Sequence, residues 1–451
     1  MVRKDGTRTR RRFIERTGAG IFAGGVAGLA GCTSNEEGGS TDGSAGGSSG
    51  GSGGNASSGG NANSSGSESG GGGGGPTLTL GGLFATSGPY SAIGVDQRDG
   101  VRVALRHLAD EGIDLTVEET FLDTQLDPEE GLRRARELVE RENVDVLIGI
   151  ASSSVAAAVA NYAKQTETPL MLTVATDEAL TGENCNRFTF RANTHTYQNQ
   201  KPNAEYAMEN IGTTFATMGA DYAWGRASVK AFVDVAEENG GEVVEQVWPA
   251  LGANDYSSQI QKVANTDADF LLVRCSGADG VKSAKQIASF GLKDRMDVIT
   301  NQTTVLAQGA GDACIGNYGG VPYHAVLSRE ETGNNENERF VETYREVGDG
   351  SDPSTYSCSS YMGARFLAKA VVEAGSTDSA EVVSALEGIS YDGPKGTMEI
   401  RACDHQATNA IWSSQLVSPE GTEYDYPIPE IFLKHEDGSN SRPCEETACS
   451  L

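Results

Sequence analysis

Six short segments of this 451-residue chain bring hydroxyl, amide and aromatic side chains together directly after apolar runs. The first three are residues 85–94 (ATSGPYSAIG), with Tyr90 and Ile93; 151–154 (ASSS), with Ser152 and Ser153; and 173–176 (TVAT), with Val174, Ala175 and Thr176. Three more follow: 221–225 (DYAWG), with Trp224; 275–279 (CSGAD), with Ser276 and Asp279; and 301–304 (NQTT), with Gln302. Hydroxyls and free backbone N–H groups at helix N-termini hold carboxylate-like oxygens without a buried cation. Aromatic rings supply flat apolar walls, and a few polar groups fix orientation. Such chemistry suits binding better than catalysis. Ser152, Ser153 and Ser154 lack the G-x-S-x-G context of an activated nucleophile, and only His195 and His324 stand near any of the six segments. Read singly, the serines serve equally well as a helix cap and Trp224 as core. The six together, all after strand-like runs, carry the weight.

The elements that must position them alternate in period. Residues 77–83 (TLTLGGL) read as a strand, and 100–111 as a helix with Val101, Ala104, Leu105 and Leu108 on one face. A strand is expected over 115–121, then a helix over 128–142 with Asp127 as N-cap and Pro128 in its first turn. Residues 145–150 (DVLIGI) are a fully apolar strand, followed by helix 155–165 and strand 169–173. The rhythm restarts with strands 214–218, 242–247, 270–274 and 297–300 alternating with helices 226–239, 256–265 and 281–290. Repeated β-α-β units imply parallel sheets covered by helices on both faces. Ligands of such sheets sit outside the carboxyl ends of the strands, where the six segments fall. Roughly 375 residues follow position 76, more than a single core of ~250–300 residues accommodates, so two lobes are expected.

The N-terminal region has its own logic. Residues 9–15 (TRRRFIE) match a twin-arginine export pattern, and the weakly apolar stretch 18–30 is shorter than the ~20 residues that span a bilayer. It ends in Leu29-Ala30-Gly31-Cys32, which resembles the motif whose cysteine takes a lipid. Residues 1–31 are thus expected to be an export signal and Cys32 the lipid-attachment site. Residues 32–76 form a Gly/Ser-rich linker that can bury nothing. The body would then stand on the extracellular face of the cytoplasmic membrane, held by its lipid. The net charge of −28 repels nucleic acid and anionic lipid surfaces. An acid excess with little lysine resembles halophile proteins, haloarchaeal ones in particular, whose surfaces bind water and salt. Eight cysteines without a CxxC pair, and five histidines, give a metal site no support. With Cys32 lipidated, the remaining cysteines form at most three internal disulfides. Cys444 and Cys449, in an acidic tail over 434–451, either close a small loop or pair elsewhere.

In order and spacing the chain resembles the branched-chain amino-acid and amide binding proteins of ABC transporters, the type I periplasmic binding protein fold, from Thr77 to Leu433. The resemblance rests on Ser87-Gly88-Pro89 with Gly94, Gly149 ahead of the serine run, Ala175-Thr176 with Leu180-Thr181, and Phe190-Arg191. It continues through the DYAWG segment, Tyr361 with Leu367-Ala368-Lys369-Ala370, Gly393-Pro394-Lys395-Gly396 and Asp404-His405-Gln406. It implies an α/β fold of two Rossmann-like lobes with parallel sheets, joined by a three-stranded hinge with crossings near Thr194, Ala325 and Gly396. Lobe one would comprise 77–194 with 325–395, and lobe two 195–324 with 396–433. Ser152 and Thr176 would hold the carboxylate and amino group of a ligand, helped by backbone near Val174. Ile93 falls where relatives carry an aromatic wall, Trp224 would be the wall from lobe two, and Ser276 would lie across the cleft. Where amino-acid binders place an acidic residue, this chain has Gln302, with Asp279 a candidate substitute; an unpaired ammonium is expensive to bury. The function so implied is capture without catalysis or cofactor. The solute would be a branched-chain amino acid or a related amide, urea-like compound or organic acid, taken up by lobe closure and passed to permease and ATPase subunits. The same fold also serves as a sensing module acting with a separate signalling partner.

Overall fold

The computed structural model describes residues 75–435 and 438–451; the expected export signal, Cys32 and nearly all of the linker lie outside the described residues. The first sheet holds β1 (Thr77–Phe84), β2 (Thr116–Asp123), β3 (Val146–Gly149), β4 (Leu170–Leu172) and β5 (Thr189–Arg191). All pairings are parallel, in the order β2-β1-β3-β4-β5. β3 and β4 are buried along their whole length, as strands between two helix layers must be. α1 (Ser91–Asp110) lies on one face, and α2 (Pro128–Glu140) with α3 (Ser153–Thr166) on the other. Asp127 accepts the Glu129 and Glu130 N–H groups at 2.9 Å each, the expected cap of α2.

The second half runs α4 (Thr196–Asn210), β6 (Thr214–Gly219), α5 (Ala223–Glu238), β7 (Glu242–Val247), α6 (Ser257–Ala264) and β8 (Phe270–Arg274). It continues with α7 (Gly277–Ser289), β9 (Asp297–Ile299), α8 (Thr304–Ala310) and β10 (Tyr318–Val321). Side chains alternate along β8: Phe270 and Leu272 pack under α4 and α5, while Leu271 and Val273 pack under α6 and α7. The chain then returns to the first sheet. It adds α9 (Arg329–Thr332), α10 (Glu336–Val347), α11 (Thr355–Ala374), α12 (Ser379–Leu386) and the hairpin β11 (Ser390–Gly393)–β12 (Gly396–Glu399). Finally β13 (Ile411–Val417) and β14 (Ile428–His435) join the second sheet antiparallel, giving the order β14-β13-β10-β9-β8-β6-β7.

Two features depart from the sequence-based expectation. α1 starts at Ser91, not at Gly100, because its first turns are held by buried polar contacts rather than by an apolar stripe. Gln97 donates to Thr173 Oγ1 at 2.9 Å, and Asp96 accepts from Tyr344 Oη at 2.6 Å and from the Ser357 N–H at 3.0 Å. Gly396 is not a crossing: it turns the β11–β12 hairpin, and Met398 and Ile400 pack with Tyr361, Phe366 and Leu367 of α11 in the first lobe. The chain leaves for the second sheet only after Gln406, which bridges to Arg191 in parallel register.

The acidic tail is stapled back. Cys444 pairs with Cys403 and Cys449 with Cys185, so neither closes a loop within the tail. Ser441 Oγ accepts from Gln198 Nε2 at 2.9 Å, and the Arg442 guanidinium bonds Glu178 at 2.5 Å and sits 3.7 Å from the centroid of the Tyr197 ring. Cys275, Cys314 and Cys358 are free and buried. No helix among the described residues is long and apolar enough to cross a membrane.

Candidate functional site

The carboxyl ends of β1, β3 and β4 and those of β6, β8 and β9 supply the walls of one cavity of about 280 Å³. Each strand delivers its segment through a turn that the sequence enforces. After β3 the chain bends at Gly149 (φ 125°) and Ile150 (φ 69°), and an added Cβ at Gly149 would lie 2.5 Å from the Leu83 carbonyl oxygen. A β-branched residue at positive φ is a costly conformation, retained here where it aims the serine run into the cleft. Gly225 lets α5 start hard against β6: a Cβ there would stand 2.0 Å from the Ala220 oxygen.

Nine of the eleven expected ligand contacts line this cavity: Tyr90, Ile93, Ser152, Ser153, Val174, Thr176, Trp224, Ser276 and Gln302. Ile93 and Val174 form an apolar patch with Ala85 and Ala151, backed by Tyr90, Leu126 and Tyr356. From the other lobe Tyr222 and Trp224 pack with ring centroids 5.9 Å apart. The Tyr90 and Tyr222 hydroxyls, one from each lobe, meet at 2.9 Å, so the two walls are closed on one another. Burial raises both phenols above their usual range, which keeps them protonated and able to donate.

Two expected residues fall outside. Ala175 is core, and its carbonyl accepts from Arg191 and from Asn193 Nδ2 at 3.1 Å. Asp279 is buried behind the wall, where its carboxylate accepts the Gly252 N–H at 2.7 Å; it cannot substitute for a ligand-pairing acid. Gln302 reaches the cavity but its amide is spent: Nε2 donates to the Asn317 and Ser414 carbonyls at 2.9 and 3.2 Å, and Oε1 accepts from Ser414 Oγ at 2.5 Å. The lining after β9 also holds the neighbouring Asn301 and Thr303.

The lining also includes Asn193 from the segment between β5 and α4, Asn199, Gln200 and Asn203 from α4, and Thr355, Tyr356 and Ser359 from α11. The last two sets share the spacing i, i+1, i+4, one face of a helix. That spacing of polar residues was the available signal, but neither segment follows a strand.

The electrostatics are one-sided. Among the described residues, no Asp, Glu, Lys, Arg or His side chain is in the lining. Tyr90, Ser152, Tyr222 and Ser276 are the N-caps of α1, α3, α5 and α7, and none of them caps its helix with a side-chain hydrogen bond. The N-termini of α3 and α5 thus border the cavity without a side-chain cap, each carrying partial positive charge, whereas α1 continues from the 3-10 turn Gly88–Tyr90 and α7 carries Asp279 in its first turn. The arrangement can hold an uncharged or anionic polar group against an apolar wall. It contains no nucleophile paired with a base.

The family model described as periplasmic binding protein matches residues 77–422. Leu/Ile/Val-binding protein homolog 6 of Brucella melitensis is 26% identical over 359 residues, covering 78% of this chain and 90% of its own. An ABC transporter substrate-binding protein from Sphaerobacter thermophilus superposes with a TM-score of 0.74 at 26% identity, covering 80% of this chain and 98% of its own. A solute-binding protein from R. palustris, solved in complex with 4-hydroxybenzoate, gives a TM-score of 0.72 at 22% identity, over 80% of this chain and 97% of its own. At that identity it speaks for the fold alone.

Proposed function

The chain belongs to the periplasmic binding protein family, and from that premise we propose that it captures a small solute for an ABC importer, as the substrate-binding protein from Sphaerobacter thermophilus does by its description. In this reading the solute enters between the lobes, the walls close over it, and the closed form is what a permease and its ATPase subunits recognise. The observation that carries the reading is the uncharged cavity bridged by Tyr90 and Tyr222. About 280 Å³ lies just below the roughly 300–1,000 Å³ of ordinary ligand sites, which suits a solute of amino-acid size.

The solute class we propose is a branched-chain amino acid or a related amide, urea-like compound or organic acid. The R. palustris neighbour was solved with an aromatic acid, which widens the organic acids to include aromatic ones. Ser152, Ser153, Thr176 and the N-terminus of α3 would hold the polar end in lobe one, and Trp224 and Ser276 would complete the site from lobe two. The anchor belongs to the same proposal: twin-arginine export, lipid on Cys32 and a Gly/Ser-rich leash would leave the body free near the membrane's outer face.

Thermal-shift and calorimetric screening at high salt tests the reading. Leucine, valine, short amides, urea, aliphatic acids and benzoates are the probes. A ligand that binds only the folded state raises the melting temperature by mass action. At least one class is expected to do so with one-to-one stoichiometry; silence across all of them would refute the reading.

A further inference from the structure

Arg274 is wholly buried at the end of β8, on the strand face that packs under α4 and α5. Among the described residues no carboxylate pairs with it, and its Nε and Nη2 have no hydrogen-bond partner. Nη1 donates to its neighbour's carbonyl, on Val273, at 3.3 Å and to Asn301 Oδ1 at 2.8 Å, and Asn301 lines the cavity. The other wholly buried arginine, Arg191, shows what a structural guanidinium looks like. It donates to Gln406, Thr181 and the Ala175 and Asp177 carbonyls. Arg274 has no such set.

Resting on the binding-protein reading, we propose that this cleft selects a small carboxylate that lacks an ammonium group, with Arg274 compensating its charge through Asn301. Because Asn301 gives its carbonyl oxygen to Arg274, its Nδ2 donor is turned away from the guanidinium and left for a ligand. The uncapped N-termini of α3 and α5 add potential of the same sign. Burial holds the Arg274 guanidinium at about 9, so it stays charged at neutral pH. An uncompensated buried charge is costly, and a ligand anion relieves that cost. A zwitterion does not fit the same cavity. Asn193 Oδ1 and Gln200 Oε1 are buried acceptors without a partner and could receive an N–H, but no carboxylate in the lining neutralises an ammonium, and Asp279 is engaged elsewhere. Those two acceptors suit a hydroxyl or amide N–H on the solute.

The test uses isosteric probes on the folded chain in 2 M KCl, where the Debye length of roughly 2–3 Å screens the acidic exterior. Calorimetry compares 4-methylpentanoate, 4-methylpentanamide and leucine, with benzoate and benzamide as the aromatic pair. In each series the carboxylate is expected to bind at least about tenfold more tightly than the amide, and 4-methylpentanoate more tightly than leucine by the same margin. Arg274→Met should bring the carboxylate-to-amide ratio towards one while amide binding persists, and Arg274→Lys should keep the preference. If Arg274→Met does not fold, Arg274→Gln, which removes the charge and keeps an N–H for Asn301, carries the same expectation. A preserved ratio in Arg274→Met or Arg274→Gln overturns the role of this pair. Tighter binding of leucine overturns the ligand class but leaves the binding-protein reading standing, whereas no binding by any probe defeats both.

Discussion

At the scale of single residues, the cleft holds both hydroxyls left free and amides already spent on other protein groups. Ser152 and Thr176 both line the cavity. Ser152 shares its hydroxyl only with Ser154, at 2.9 Å, which leaves it free to reorient towards a ligand. The double substitution Ser152→Ala with Thr176→Ala should therefore abolish detectable binding by calorimetry while leaving the melting temperature of the unliganded chain within a few degrees. Retained affinity would move the polar subsite elsewhere. Tyr222 makes a different prediction. Tyr222→Phe removes a hydrogen bond of about 0.5–1.5 kcal/mol between the lobes, so solute should dissociate about two- to tenfold faster in rapid-mixing experiments. An unchanged off-rate would mean that this contact does not hold the closed form. Gln302 shows how single-residue reasoning goes astray. Its position in the chain is next to the cavity, but Ser414, brought in by an antiparallel strand more than a hundred residues later, consumes its amide.

At the scale of elements, the turn from β3 into α3 is the point where local conformation and function meet. Gly149→Ala would place a Cβ at φ 125° against the Leu83 carbonyl. The expected cost is about 1–3 kcal/mol of unfolding free energy in urea titrations, with weaker solute binding as the serine run is displaced. A neutral substitution would show that the turn relaxes freely. Strands β3, β4 and β8 were readable from sequence because apolar runs of four to six residues between helix layers have few alternatives. The start of α1 was not readable. Its first turns present Gln97 and Asp96 inward, and their partners, Thr173, Tyr344 and Ser357, are remote in sequence. Polar residues facing a core look like a loop until those partners are known.

At the scale of the whole molecule, two features set stability. Burial lowers all five histidines, His107 and His324 to about 4, so the native state keeps them neutral where the unfolded chain binds protons. Their contribution is full above about pH 6.5 and is lost as pH falls towards 4. Urea midpoints should fall across that window, and His107→Gln should make the slope shallower; an unaltered slope would assign the effect to carboxylates alone. The second feature is the stapled tail. Cys185–Cys449 spans 264 residues of chain and Cys403–Cys444 spans 41, both tying the segment after β14 to the first lobe. Cys444→Ser should lower stability by about 2–4 kcal/mol, read from denaturant unfolding under oxidising conditions. Equal midpoints would mean that the tail's polar contacts suffice on their own.

The sequence by itself determined the two α/β halves, the Asp127 cap and the strand-end loops that supply nine of the expected side chains to the cavity. Each of these follows from local periodicity and from the rule that ligands sit at the carboxyl ends of parallel strands. Tertiary structure alone decided which cysteines pair, where β12 packs, that Gln302 and Asp279 are engaged elsewhere, and that α4 and α11 complete the cavity. It also decided the point on which the opening segments turn. The hydroxyls, amides and rings come together in a cleft whose described lining has no charged side chain, and the buried, unpaired Arg274 stands behind Asn301. Hydrogen-bond saturation and charge pairing are properties of neighbours in space, and no spacing along the chain encodes them.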